Sequence, residues 1–90
     1  MPYISKQLRD LYKAPAEAMA AFIEKAEPSQ KAGILNYYIT KLLDGAYKNK
    51  GYREYCEING VLGGVDKEFY RRRTAPYEDK KIQENGDVFS

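Results

Sequence analysis

The chain has no histidine, no tryptophan and one cysteine, Cys56, among its 90 residues. The usual zinc, iron and copper ligand sets draw on His and Cys and cannot be assembled from one copy. Histidine-dependent serine or cysteine nucleophile systems are equally unavailable. A lone cysteine forms no internal disulfide, and with no hydrophobic signal segment the expected setting is a reducing cytosol. No apolar run approaches the roughly 20 residues that span a bilayer, so a soluble protein without a membrane partner is expected. No glycine-rich phosphate loop or dinucleotide fingerprint is present. Charge of one sign is scarce too: charged residues are 31% of the chain, yet the formal net charge is +2. Such a molecule carries no strong overall field for nucleic acid, so any anion site must be local. The acid pairs Glu54/Glu57 and Glu78/Asp79 read as solvated helical carboxylates rather than a catalytic dyad or magnesium site. The expectation is a protein that is not an enzyme, with no catalytic residue, metal or cofactor.

What is there has helical period. Ser5 suits an N-cap, and the helix it opens is expected to stop before Pro15, which lacks the amide an interior position needs. A second helix is expected from Pro15, with Ala18, Met19, Phe22, Ile23 and Ala26 as its stripe, ended by Pro28-Ser29. The third starts at Ser29 or Gln30 and closes at Asn49-Lys50-Gly51; Leu35, Ile39, Leu42 and Ala46 form its inward face, widened by Ile34, Tyr38, Leu43 and Tyr47. The fourth runs from about Tyr52 to Arg72, with Tyr55, Ile58, Leu62, Val65 and Phe69 inward. Gly60 and Gly64 share one face, where they either admit a close neighbour or leave a weak point. A short fifth helix is expected to begin at Pro76 and stop at Asn85-Gly86, followed by a tail whose Val88 and Phe89 pack back or pair with another subunit. The reading is all-α: a small bundle of four to five helices, two longer core helices plus short N- and C-terminal ones, in a single domain over residues 1–90. No repeat or linker divides it.

The segments Met1-Pro2-Tyr3-Ile4-Ser5-Lys6, Leu35-Asn36-Tyr37, Gly60-Val61-Leu62, Glu68-Phe69-Tyr70-Arg71-Arg72 and Ala75-Pro76-Tyr77-Glu78-Asp79-Lys80-Lys81-Ile82, with Glu84-Asn85-Gly86-Asp87-Val88, resemble a family of small, largely uncharacterised proteins of bacteriophage and prophage genomes. The resemblance spans nearly the whole chain and implies a viral or prophage setting in the host bacterial cytoplasm. It brings no catalytic residues. Where relatives tend to carry a polar or larger pair after Gly60-Val61-Leu62, this chain has Gly63-Gly64, which makes the helix less regular there.

Two features carry binding chemistry. Arg71, Arg72 and Arg73 present guanidinium forks that suit phosphate and stay charged at physiological pH; alternatively they cap a helix end and pair with Glu68, Glu78 or Asp79. Successive helical residues diverge by about 100°, so all three cannot face one ligand. A helix N-terminus near Pro76 is expected to add backbone donors for an anion. Nine tyrosines supply flat faces with a hydroxyl, fit for a nucleobase or an interface. Tyr38, Tyr47 and Tyr55 fall at core spacing, whereas Tyr37, Tyr52, Tyr70 and Tyr77 are free to line a pocket. The candidate ligand residues are Arg71, Arg72, Arg73, Tyr70, Tyr77, Asn36, Tyr37 and Lys80; Asn36 either reads a ligand edge or caps a helix contact.

Three functions fit this pattern. The first is a non-catalytic phage binding protein whose subunits form a homo-oligomer and sequester a nucleotide-derived signal of bacterial anti-phage defence. The second is a protein–protein module that inhibits or recruits a host protein. The third, a nucleic-acid accessory, is disfavoured by the near-neutral charge.

Overall fold

The computed structural model describes residues 3–89; Met1, Pro2 and Ser90, the outer ends of the expected lead-in and tail, lie outside them. The described chain is all-α, with α1 at Lys6–Glu24, α2 at Pro28–Ala46, α3 at Tyr52–Phe69, a π-helical turn at Tyr70–Thr74 and α4 at Ala75–Asn85. It divides into two compact units, residues 3–55 and 56–89, the boundary falling after the first turn of α3.

In the first unit, Ser5 opens α1 as its composition requires: the extended backbone at the cap lets the side-chain oxygen accept from the Leu8 amide at 3.2 Å. The expected break at Pro15 does not occur, and α1 runs through it. Pro15 removes one α-helical bond, to the Leu11 carbonyl, but Leu11 is 66% exposed, where water can replace the lost donor. Ala14, Ala16, Ala18, Ala20 and Ala21 surround the proline with the strongest helix formers. The two expected N-terminal helices are therefore one.

Pro28 sits in the first turn of α2, where its missing amide costs nothing. The helix ends at Ala46, short of the expected Asn49-Lys50-Gly51 stop, because Tyr47 takes extended angles (φ −121°, ψ 104°). Lys50 then reaches back to Asp44 at 2.9 Å. This pairing holds the Asp44 carboxyl below its ordinary range, through the hydrogen bond first and the charge of Lys50 second.

α1 and α2 touch, and Ile23 is the buried residue of this unit, only 7% exposed. Met19, Ala26, Ile34 and Tyr38 are half-buried. The covered line of α2 thus follows Ile34 and Tyr38. Leu35, Ile39 and Leu42, expected inward, are exposed, as is Ala46. The stripe exists, but no neighbour in the unit covers it.

In the second unit Ile58 is the buried residue. Tyr55 in the first turn of α3, and Leu62, Val65 and Phe69 further along it, were expected inward as well and are exposed. α3 stays α-helical through Gly60, Gly63 and Gly64, so the weak point did not become a break. Its first turn is closed by Glu54, whose Oε1 accepts from the Gly51 amide at 2.8 Å. Glu54 therefore has a capping task. At the far end of α4, Gly86 leaves the helix at φ 89°, its amide donating to the Ile82 carbonyl at 2.8 Å, as the Asn85-Gly86 pair foretold.

Candidate functional site

The geometry around the arginine run follows from Pro76. An α-helical register would bond residue 76 to the Arg72 carbonyl, and proline has no amide to offer. The chain does not break; it widens by one residue into a π turn, in which the Ala75 amide donates to the Tyr70 carbonyl. Insertions of this kind recur at functional positions. The expected free helix N-terminus at Pro76 is therefore absent, since the Ala75 amide is already used within a continuous helical stretch. The arginines likewise sit inside that stretch rather than at a helix end.

Each arginine has a different occupation. Arg71 donates to Glu68 Oε1 at 2.8 Å. Arg73 donates through Nη1 to the Arg72 carbonyl at 3.2 Å. Arg72 Nη1 stands 3.8 Å from Glu68 Oε1, an ion pair but too long for a hydrogen bond. All these side chains are well exposed except Glu68, at 21%. Exposed pairs of this type contribute about 0–1 kcal/mol each. Pairing with Glu78 or Asp79 is not what these contacts show: Glu78 Oε1 instead accepts from the Tyr70 hydroxyl at 2.6 Å across the π turn. That bond, and then the charge of Glu78, raises the Tyr70 phenol above its ordinary value.

Val65, Glu68, Phe69, Arg72 and Arg73 line an open cleft of about 350 Å³. Val65 and Phe69 are one turn apart on α3 and contribute an apolar floor; Phe69 is 63% exposed. Arg72 and Arg73 stand three and four residues beyond Phe69, positions that share a helix face. The guanidinium fork has five donors, of which Arg73 spends one on the Arg72 carbonyl. The arrangement can hold an anion against a flat apolar surface. Neither Val65 nor Phe69 was singled out for binding in the sequence. Both had been placed in the inward stripe, and the signal that marks them is their spacing before the arginines.

The remaining candidates are placed elsewhere. Tyr77 is exposed and carries the Lys81 ammonium 5.6 Å from its ring centroid. Lys80 is exposed on α4. Tyr70 is engaged with Glu78 as described. Asn36 and Tyr37 belong to the other unit. There the Asn36 carbonyl accepts from Thr40 Oγ1 at 2.8 Å, and Tyr37 meets Tyr38 edge-on at 6.0 Å. Tyr37 also helps line a larger groove of about 740 Å³ with Phe22, Ile23, Ala26, Gly33 and Ile34, which is nearly all apolar. Of the tyrosines assigned to the core, Tyr38 and Tyr47 are half-buried while Tyr55 is exposed.

Among the described residues no three His, Cys, Asp or Glu side chains cluster as a metal site would require, and no helix is long and apolar enough to cross a membrane. Comparison with curated proteins and with solved structures returns no match. A family model does match: the chain belongs, over residues 1–88, to the family described as a domain of unknown function, DUF6899.

Proposed function

We propose that this chain is a non-catalytic binding protein that sequesters a nucleotide-derived signalling molecule through the Arg72–Arg73 cleft, in the setting of phage counter-defence in the bacterial cytoplasm. The observation that carries the binding part is the cleft itself. Two guanidinium groups border an exposed phenyl ring, and among the described residues Arg72 makes no contact shorter than 3.8 Å to a carboxylate. The phage setting rests on the resemblance of the Glu68–Arg72 and Ala75–Val88 segments. Homo-oligomerisation is part of the reading. Leu11, Phe22 and Leu42 are each more than half exposed, and fully burying such a side chain contributes about 1.5–3 kcal/mol. Association of copies would cover them and close the helices into a bundle.

Isothermal titration against cyclic oligonucleotides and cyclic or linear ADP-ribose derivatives tests this, together with the native mass. Binding by an oligomer supports it; no binding across the panel ends it. A second reading, a module that engages a host bacterial protein, draws on the apolar groove at Phe22 and Tyr37. In that case a host polypeptide is retained on pull-down, and Phe22→Ser abolishes its retention while small-molecule titrations stay blank.

A further inference from the structure

The cleft at the π turn also carries information about the shape of its ligand. It is walled by five residues of one helical stretch and measures about 350 Å³, at the lower end of the roughly 300–1,000 Å³ typical of small-molecule sites. Its two chemical halves are offset along the helix. Val65 and Phe69 form the apolar half; Arg72 and Arg73 form the cationic half one turn later. Phe69, Arg72 and Arg73 border the same cleft, so one nucleotide can set its base on the ring and its phosphate at a guanidinium.

Phe69 is the distinctive element. It is a large aromatic, 63% exposed, on the same helix face as guanidinium groups. A site for a bare phosphate has no use for it, and a sugar sets only its C–H groups against a phenyl face, a smaller contact than a planar base makes. A planar base does gain, because stacking on an aromatic side chain works for every base. Arg72 is the natural anchor for the anion, its nearest carboxylate among the described residues being Glu68 at 3.8 Å. Arg73 keeps the donors it does not spend on the Arg72 carbonyl.

We infer that each chain holds one nucleotide unit, its base stacked on Phe69 over Val65 and its phosphate on Arg72 with Arg73 beside it. This rests on the binding reading above and adds the ligand class, the orientation and a stoichiometry of one base and one phosphate per chain. A ligand of two nucleotide units then engages two copies.

The experiment is calorimetric titration of the full chain with AMP, ribose 5-phosphate and cyclic di-AMP, for the native protein, Phe69→Ala and Phe69→Tyr. Because Phe69 is mostly exposed, the alanine variant is expected to keep its helical circular dichroism, and the tyrosine variant retains a stacking face should it not. The expected result is AMP binding at one per chain, on the order of tenfold tighter than ribose 5-phosphate. Phe69→Ala removes that gap and Phe69→Tyr keeps it. Equal affinity for AMP and ribose 5-phosphate, or a gap untouched by Phe69→Ala, overturns the stacked-base assignment while leaving phosphate binding in place. Binding of cyclic di-AMP with no binding of AMP overturns the one-unit assignment and leaves the broader reading standing. If none of the three compounds binds, the assignment falls, and the broader reading then depends on the rest of the wider panel.

Discussion

The guanidinium of Arg73 donates to the backbone carbonyl of Arg72 at 3.2 Å, the carbonyl that residue 76 would reach in an α-helical register if it were not proline. One donor of the arginine run is thus engaged with the local backbone. Replacing the proline should reverse this. Pro76→Ala supplies a donor to the Arg72 carbonyl and removes the reason for the wider turn. We expect higher helical ellipticity and a stability gain of roughly 1–3 kcal/mol by thermal or urea unfolding. An unchanged or lower midpoint would show that the π turn does not depend on Pro76.

The bond from Tyr70 to Glu78 at 2.6 Å makes stability depend on alkaline pH. The folded state raises the Tyr70 phenol above its ordinary value near 10, so the neutral hydroxyl is the favoured form. The contribution is fully present below pH 10 and disappears as pH rises through the folded value. Tyr70→Phe should flatten the stability–pH curve in that window. Ultraviolet titration of the phenolates should lose a component above the ordinary tyrosine value in the same variant.

The clasp between Asp44 and Lys50 acts at the opposite end of the scale. The folded state lowers the Asp44 carboxyl below 3.8, so its contribution is present above that value and is lost as pH falls through the folded one. Asp44→Asn should lower stability at neutral pH and remove this component of acid sensitivity. Unfolding curves collected from pH 7 down to pH 2 would reveal it, and high salt should weaken the native effect.

Two glycines should respond with opposite sign. A Cβ added at Gly60 meets no atom within 4 Å, whereas Gly86 has φ +89°. Gly60→Ala is expected to stabilise α3 by about 0.5–1 kcal/mol. Gly86→Ala is expected to cost about 1–3 kcal/mol, because φ 89° with ψ 157° is a region essentially reserved for glycine. Destabilisation by Gly60→Ala would mean that a second copy packs against the helix backbone at this position.

Much of the secondary structure was legible because it depends on local chemistry. The all-α class followed from three- and four-residue spacing, the start of α1 from the Ser5 hydroxyl, the start of α3 after Gly51, and the stop at Gly86 from the need for positive φ. Pro15 was expected to end a helix and does not: a missing amide disrupts a helix only if the orphaned carbonyl finds no other partner, and at Leu11 solvent is at hand. Pro76 does stand in the first turn of a new helix, α4, as expected, but that helix continues from a π turn, which spacing alone did not reveal. Sequence spacing also identified apolar stripes without showing what covers them. Leu35, Ile39 and Leu42 have the period of a core face and are exposed, because burial is a property of neighbours and not of period. The candidate site was legible at Arg72 and Arg73, whose charge is visible in the sequence. Phe69 was hidden by the assumption that an apolar stripe faces inward, and Arg71 lost its claim only once Glu68 was seen beside it.

The most direct measurement compares Arg72→Ala with Arg71→Ala in calorimetric titrations against the panel of cyclic oligonucleotides and ADP-ribose derivatives. The account expects Arg72→Ala to weaken binding about 10- to 100-fold, the weight of a charge-assisted hydrogen bond. Arg71→Ala, whose guanidinium is engaged with Glu68 at 2.8 Å, should change affinity less than about fivefold, the upper reach of a minor exposed contact. Absence of binding by the native chain, or a loss in Arg71→Ala as large as that in Arg72→Ala, would contradict it.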